Sequence, residues 1–181
     1  PVTAEDCVAS LKRWSVRDPL GKMLMADTAS LEATNPKTIK FALKQPFPLL
    51  LEVLGKPNAP LPVMMPARLA ATPADQRIPE PIGSGPFRFL KDQWRPGRAV
   101  MLERNAAYVP RKEAPDFLTG GKNVKIDQLT LRVMPDQSTG ANALIAGEID
   151  YMQYLPFDML PVLEKDKNVE IVIPDQLGST Y

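Results

Sequence analysis

Ile82-Gly83-Ser84-Gly85-Pro86-Phe87-Arg88-Phe89 closes a proline-rich stretch and leads through two glycines into a strand. Further along, Asn142-Ala143-Leu144-Ile145-Ala146-Gly147-Glu148-Ile149-Asp150 reads as a helix that stops at Gly147 and hands over to a second strand. Pro86 fixes the backbone where the first strand begins, and Gly83 and Gly85 are expected to supply backbone angles that other residues avoid. Gly83-Ser84-Gly85 also invites comparison with a nucleophile turn. Its spacing is wrong, and a chain with no histidine has no imidazole to activate the serine. Both segments are therefore read as architecture, carried by Gly83, Gly85, Pro86 and Phe87 in the first and by Gly147 and Asp150 in the second.

Around these segments the pattern is mixed. Thr3 followed by Glu5 and Asp6 predicts a helix start, with Val8 and Leu11 at helical spacing and Lys12, Arg13 and Arg17 near the far end. Asp18-Pro19 restarts a short helix to Ala26. A hairpin follows, in which Asn35-Pro36-Lys37-Thr38 turns the chain and Ile39, Phe41 and Leu43 alternate with Lys40, Ala42 and Lys44. A short helix over 48–54 stops at Gly55, and the segment from Lys56 to Pro81 is proline-punctuated with a helical piece near Met65 to Ala71. Its Leu61, Val63, Met64, Met65 and Leu69 need cover, so it reads as irregular but packed chain. Strands are expected over 87–94 and 99–104, joined at Pro96-Gly97, and over 126–134. A helix over 138–146, a strand over 149–152, a helix over 157–163 and a strand over 169–173 complete the order. Strand–helix–strand units in the second half predict an α+β or α/β fold, a mixed sheet with flanking helices, with a separate smaller piece before a boundary near Pro81-Ile82.

Composition removes several function classes. The chain has 181 residues, 44% apolar and 24% charged, enough for a packed core. A net charge of +1 gives no reason to expect nucleic acid as partner. Arg88 to Lys112 holds seven basic and two acidic residues, and Glu148 to Asp175 seven acidic and two basic, both read as solvated surface. The lone Cys7 excludes an internal disulfide and a cysteine-based zinc cluster. The lack of histidine removes the usual general base and the commonest transition-metal ligand, so no cofactor or metal is expected. No apolar run is long enough to cross a bilayer, so direct membrane insertion is not expected of this piece. Ten of the 20 prolines lie between Pro46 and Pro86. The chain opens on Pro1 directly ahead of a helix cap and reads as cut from something longer.

Carboxylate chemistry finds no clear pair. Glu148 and Asp150 straddle a helix end where acidic residues are common, and Asp136, Glu148 and Asp150 lack the spacing of a calcium loop. Gly120-Gly121-Lys122 lacks the remaining glycine and the hydroxyl residue of a phosphate loop. Tyr151, Gln153 and Tyr154 are the residues favoured for ligand contact. They follow the helix stop at the expected carboxyl end of a short strand, where open sheets present ligands.

Four segments in order carry a family resemblance. Val2 to Trp14, Ile82 to Phe87, Glu103-Arg104-Asn105-Ala106-Ala107-Tyr108 and Asn142 to Asp150 resemble elements of the peptide/nickel-type (oligopeptide- and dipeptide-binding) extracellular solute-binding proteins of ABC importers. The loop from Lys112 to Lys122 departs from the family's shorter connection, and Val109 stands where tryptophan is usual. The resemblance implies a partial type II periplasmic-binding-protein fold. Residues 1–81 would be the later part of an extra subdomain and 82–181 the central part of the main lobe, with the second lobe absent. It also implies a non-catalytic protein, monomeric, that captures a peptide or other small solute and serves the membrane subunits of an ABC permease. Its compartment would be the periplasm, or the cell exterior with a lipid anchor. Gly178 and Ser179 join Tyr151, Gln153 and Tyr154 as candidate cleft-wall positions on this ground. The alternatives left open by the residues are a secreted carboxylate-based hydrolase and a structural or interaction module.

Overall fold

The computed structural model describes residues 1–116 and 119–173. They fall into two compact units, one within Pro1–Leu90 and Leu102–Leu129, the other within Lys91–Met101 and 130–173.

The first unit begins with α1 (Ala4–Ser15), which starts where Thr3 closes a capping box. The Asp6 backbone N–H donates to Thr3 Oγ1 at 3.2 Å, and the Thr3 N–H donates to Asp6 Oδ2 at 2.9 Å. These bonds, the Thr3 N–H first and then that of Ala67, hold the Asp6 carboxyl below its ordinary pKa. Ala4, Val8, Leu11, Trp14 and Ser15 line the buried face at helical spacing. Asp18 caps α2 (Pro19–Ala26), its Oδ1 accepting the Gly21 N–H at 2.8 Å. α1 and α2 approach so closely that a Cβ on Gly21 would stand 2.8 Å from the Ser15 Cα.

β1 (Thr28–Asn35) and β2 (Thr38–Leu43) form an antiparallel hairpin in which Leu31 faces Phe41 and Ala33 faces Ile39. Val8, Leu11, Trp14, Leu24, Leu31 and Val53 make the core, with the inward residues of β2 packed against it. α3 (Leu50–Leu54) and α4 (Ala67–Ala70) are each about one turn long and flank the proline-rich stretch.

That stretch is held by side chains of α1. The Ala67 N–H donates to Asp6 Oδ1 at 2.8 Å, and the Met65 N–H to Ser10 Oγ at 2.9 Å. Trp14 Nε1 donates to the Pro60 carbonyl at 2.9 Å, and the Arg13 guanidinium to the carbonyls of Thr72 and Gln76. Packing of the irregular chain is thus satisfied largely by polar side chains rather than by a ladder.

A three-stranded sheet follows in the order β3 (Phe87–Phe89), β4 (Ala99–Arg104), β5 (Gln128–Arg132). β3 and β4 are antiparallel, Phe87 facing Arg104 and Arg88 facing Glu103. The Arg104 N–H donates to the Asp127 carbonyl and the Val133 N–H to the Arg98 carbonyl, both at 2.8 Å, so β5 also runs antiparallel to β4. The strand expected over 87–94 ends at Phe89, and Lys91–Gln93 forms a 3₁₀ turn instead.

In the second unit α5 (Gln137–Ile145) is followed by a 3₁₀ turn at Phe157–Met159 and α6 (Leu160–Leu163). The strands expected at 149–152 and 169–173 are corrected, since neither segment is in a ladder. A strand exists only by pairing its N–H and C=O groups with a neighbour, and among the described residues no neighbour does so.

The reason given for Gly83 and Gly85 is also corrected. Neither lies in the left-handed region, and a Cβ on either would meet nothing within 4 Å. What fixes this segment is Asn105, whose Nδ2 donates to the Gly85 carbonyl at 3.1 Å and whose N–H donates to the Pro86 carbonyl at 2.8 Å.

Candidate functional site

The favoured residues sit directly after α5, and the sequence sets that helix by its two ends. Asp136 Oδ1 accepts the Thr139 hydroxyl at 2.7 Å and the Thr139 N–H at 2.6 Å, which together hold the Asp136 carboxyl below its ordinary pKa. At the other end the Gly147 N–H reaches the Leu144 carbonyl and the Glu148 N–H the Ala143 carbonyl. With Gly147 at φ 71° this is a Schellman stop, and it explains why glycine stands there.

Beyond the stop, exposure repeats every third residue. Ile149, Met152 and Leu155 are half-buried, while Asp150, Tyr151, Gln153 and Tyr154 are exposed. That period is foreign to a strand, whose faces alternate every second residue. The expectation that Tyr151 and its neighbours stand at the end of a strand is therefore corrected. They stand on an irregular segment that bends at Asp150, Gln153 and Tyr154, with half-buried residues between the exposed ones.

Tyr151 is 77% and Tyr154 53% exposed, and Gln153 Nε2 lies 3.4 Å from the Tyr154 hydroxyl. Phe157, assigned by the sequence pattern to a helix, is 88% exposed in its 3₁₀ turn and adds a third open ring to this part of the chain. Its place after Pro156 at the end of the aromatic segment was the available signal. Gly178 and Ser179 lie outside the described residues. The arrangement offers ring faces, an amide and phenolic hydroxyls, which suit reversible binding by stacking and hydrogen bonds. Glu148 and Asp150 are both exposed, without the burial that tunes a catalytic carboxyl.

Elsewhere, a shallow pocket of about 240 Å³ is lined by Thr3, Glu5, Ala33, Asn35 and Pro36, at the start of α1 and the tip of the first hairpin. Among the described residues no group of three or more acidic, cysteine or histidine side chains is placed to hold a metal ion. No described helix is long and apolar enough to cross a membrane.

The two segments that opened the sequence reading belong to one scaffold. The model of the bacterial extracellular solute-binding proteins, family 5 Middle, matches residues 1–181. The chain belongs to this family. Among curated relatives, a probable peptide ABC transporter periplasmic-binding protein of Sinorhizobium fredii is 37% identical over 180 residues, covering 98% of this chain and 33% of its own. The glutathione-binding protein of Escherichia coli is 28% identical over 178 residues, covering 98% of this chain and 30% of its own. The periplasmic binding protein of Agrobacterium tumefaciens R10 solved with agropinic acid superposes with a TM-score of 0.68 at 27% identity, over 92% of this chain and 31% of its own. The chain thus spans about a third of the length of the curated relatives it matches. Its fold is a portion of the type II periplasmic-binding-protein fold, mixed in helix and sheet.

Proposed function

We propose that this chain is part of the substrate-binding component of an ABC importer. The whole protein captures a peptide or similar small solute and delivers it to the membrane subunits of a permease. The observation that carries this reading is the family match along all 181 residues. The open rings of Tyr151 and Tyr154 support it.

On this reading, residues 1–81 are the later part of an extra subdomain and 82–181 the central part of the main lobe, with a second lobe on another part of the polypeptide. Tyr151, Gln153, Tyr154, Gly178 and Ser179 form a share of the cleft wall. Lobe closure favours the bound state through contacts made only when both walls engage the solute. The protein works in the periplasm, or outside the cell on a lipid anchor, as a monomer and without catalysis.

Isothermal titration of the full-length protein with tetra-alanine, reduced glutathione and a nickel–histidine complex tests this. One of them binds at micromolar affinity or better, and Tyr151→Ala or Tyr154→Ala weakens it about tenfold, the equivalent of one lost aromatic contact. Residues 1–181 alone, holding one wall, bind none of them at that affinity. No binding by the full-length protein, or full affinity in both variants, refutes the reading.

A further inference from the structure

Gly140 lies inside α5, where glycine costs about 1 kcal/mol relative to alanine. Its φ is outside the left-handed region, so no backbone geometry calls for glycine there. The reason is space. A Cβ at this position would stand 3.0 Å from Met152 Cε, 3.3 Å from Met152 Sδ and 3.6 Å from Met134 Sδ. Carbon atoms rest against each other at about 3.5–4.0 Å, so the Met152 thioether must give by a few tenths of an ångström to admit an alanine methyl.

Met152 is the middle one of three inward residues beneath the Tyr151–Tyr154 segment. Among the described residues, no backbone–backbone hydrogen bond involves Ile149 to Leu155, so side-chain contacts bear more of the task of placing this segment. Tyr151 and Gln153 are the direct chain neighbours of this anchor, and a shift of the Met152 backbone passes to both.

We propose that Gly140 is a positioning residue for the solute-contact segment. By leaving room on α5 for the Met152 thioether, it sets how far Tyr151, Gln153 and Tyr154 stand from the helix and hence how tightly solute is held. This rests on the reading of that segment as cleft wall.

The test uses the full-length protein and the variants Gly140→Ala, Met152→Val and Gly140→Ala/Met152→Val. Two readouts are taken, amide hydrogen exchange of the 149–155 peptide and titration with tetra-alanine and reduced glutathione. Gly140→Ala raises exchange in that peptide and weakens binding about fivefold, and Met152→Val, which vacates the contested volume, restores both in the double variant. Such mutual rescue is not expected if Gly140→Ala only alters the helix. Exchange and affinity unchanged in Gly140→Ala overturn the proposal, as does a loss that Met152→Val fails to rescue. If exchange changes and is rescued while neither probe binds the unaltered protein, the cleft reading has failed and this proposal falls with it. If a probe binds and its affinity is indifferent to Gly140→Ala, the positioning role alone has failed.

Discussion

Removing the Asp18 carboxylate should unseat the first unit at a single point, because that group does two jobs at once. Asp18 is fully buried, its Oδ1 caps α2 through the Gly21 N–H, and its Oδ2 receives the Lys56 ammonium at 2.5 Å. Lys56, 38 residues away, is 13% exposed, so its charge has little water to fall back on. Losing the cap costs about 1 kcal/mol. A stranded and mostly desolvated ammonium costs about 2 kcal/mol more. For a unit of this size about 3 kcal/mol corresponds to a fall in melting midpoint of roughly 12 °C. Trp14 is buried in the same unit, so its fluorescence in a Trp94→Phe background reports this transition. Asp18→Asn keeps an oxygen for the Gly21 N–H and should lose only about 2 kcal/mol. Burial acts to raise the Asp18 pKa, but the Lys56 and Gly21 hydrogen bonds outweigh it and the carboxyl titrates below its ordinary value. Its contribution is then complete above about pH 4 and lost as pH falls through the depressed folded value. The stability gap between the unaltered protein and Asp18→Asn should stay constant from neutral pH down to that point and close below it. An Asp18→Ala midpoint within about 2 °C of the unaltered protein, or a gap that widens in acid, refutes the reasoning.

Three further outcomes follow from contacts in the structure. Gly21→Ala places a methyl 2.8 Å from the Ser15 Cα and 3.0 Å from the Trp14 ring, and should destabilise by about 2 kcal/mol in urea melts. Gly147→Ala meets open space but must hold φ near 71°, so about 1 kcal/mol of purely conformational cost is expected in the same assay. Arg13→Ala removes the guanidinium bonds to the Thr72 and Gln76 carbonyls, and tryptic cleavage after Arg77 should accelerate several-fold at native conditions, whereas an unchanged rate would show the segment is held otherwise.

Elements specified by neighbouring residues were legible, and those specified across the chain were not. Thr3 and Asp6 define the start of α1 within four residues, Asn35 to Thr38 turn the first hairpin, and Asp136 and Gly147 bracket α5. Each device works through bonds spanning three or four residues, so spacing reveals it. The residues at 149–152 and 169–173 have strand-like composition, but a strand also needs a neighbour's backbone, which local pattern does not encode. The candidate segment differs from its expected geometry. Its tyrosines follow a helix stop as expected, yet they stand on a three-residue rhythm of half-buried residues. Gly83 and Gly85 show the same limit, since their constraint comes from Asn105, twenty residues on. Gly140 was silent in the sequence because its meaning lies in Met152.

The two irregular parts of the chain are held by opposite chemistry, and composition accounts for the difference. Between Lys56 and Pro81 the prolines supply carbonyls without N–H groups of their own, so acceptors outnumber donors. α1 and the turn after it answer with donors: Arg13 to Thr72 and Gln76, Trp14 to Pro60, and Arg17 to Ala74 at 3.4 Å. Such bonds have direction and fix the stretch in one arrangement, as suits a scaffold. The segment after Gly147 is instead anchored by Ile149, Met152 and Leu155, apolar contacts that lack direction, with a flexible thioether at the centre. An anchor of that kind is less directional than a hydrogen bond and tolerates small shifts of the segment it holds. On the proposed reading, a wall that adapts to solutes of different shape uses that freedom, and a subdomain that only supports it has no need of it.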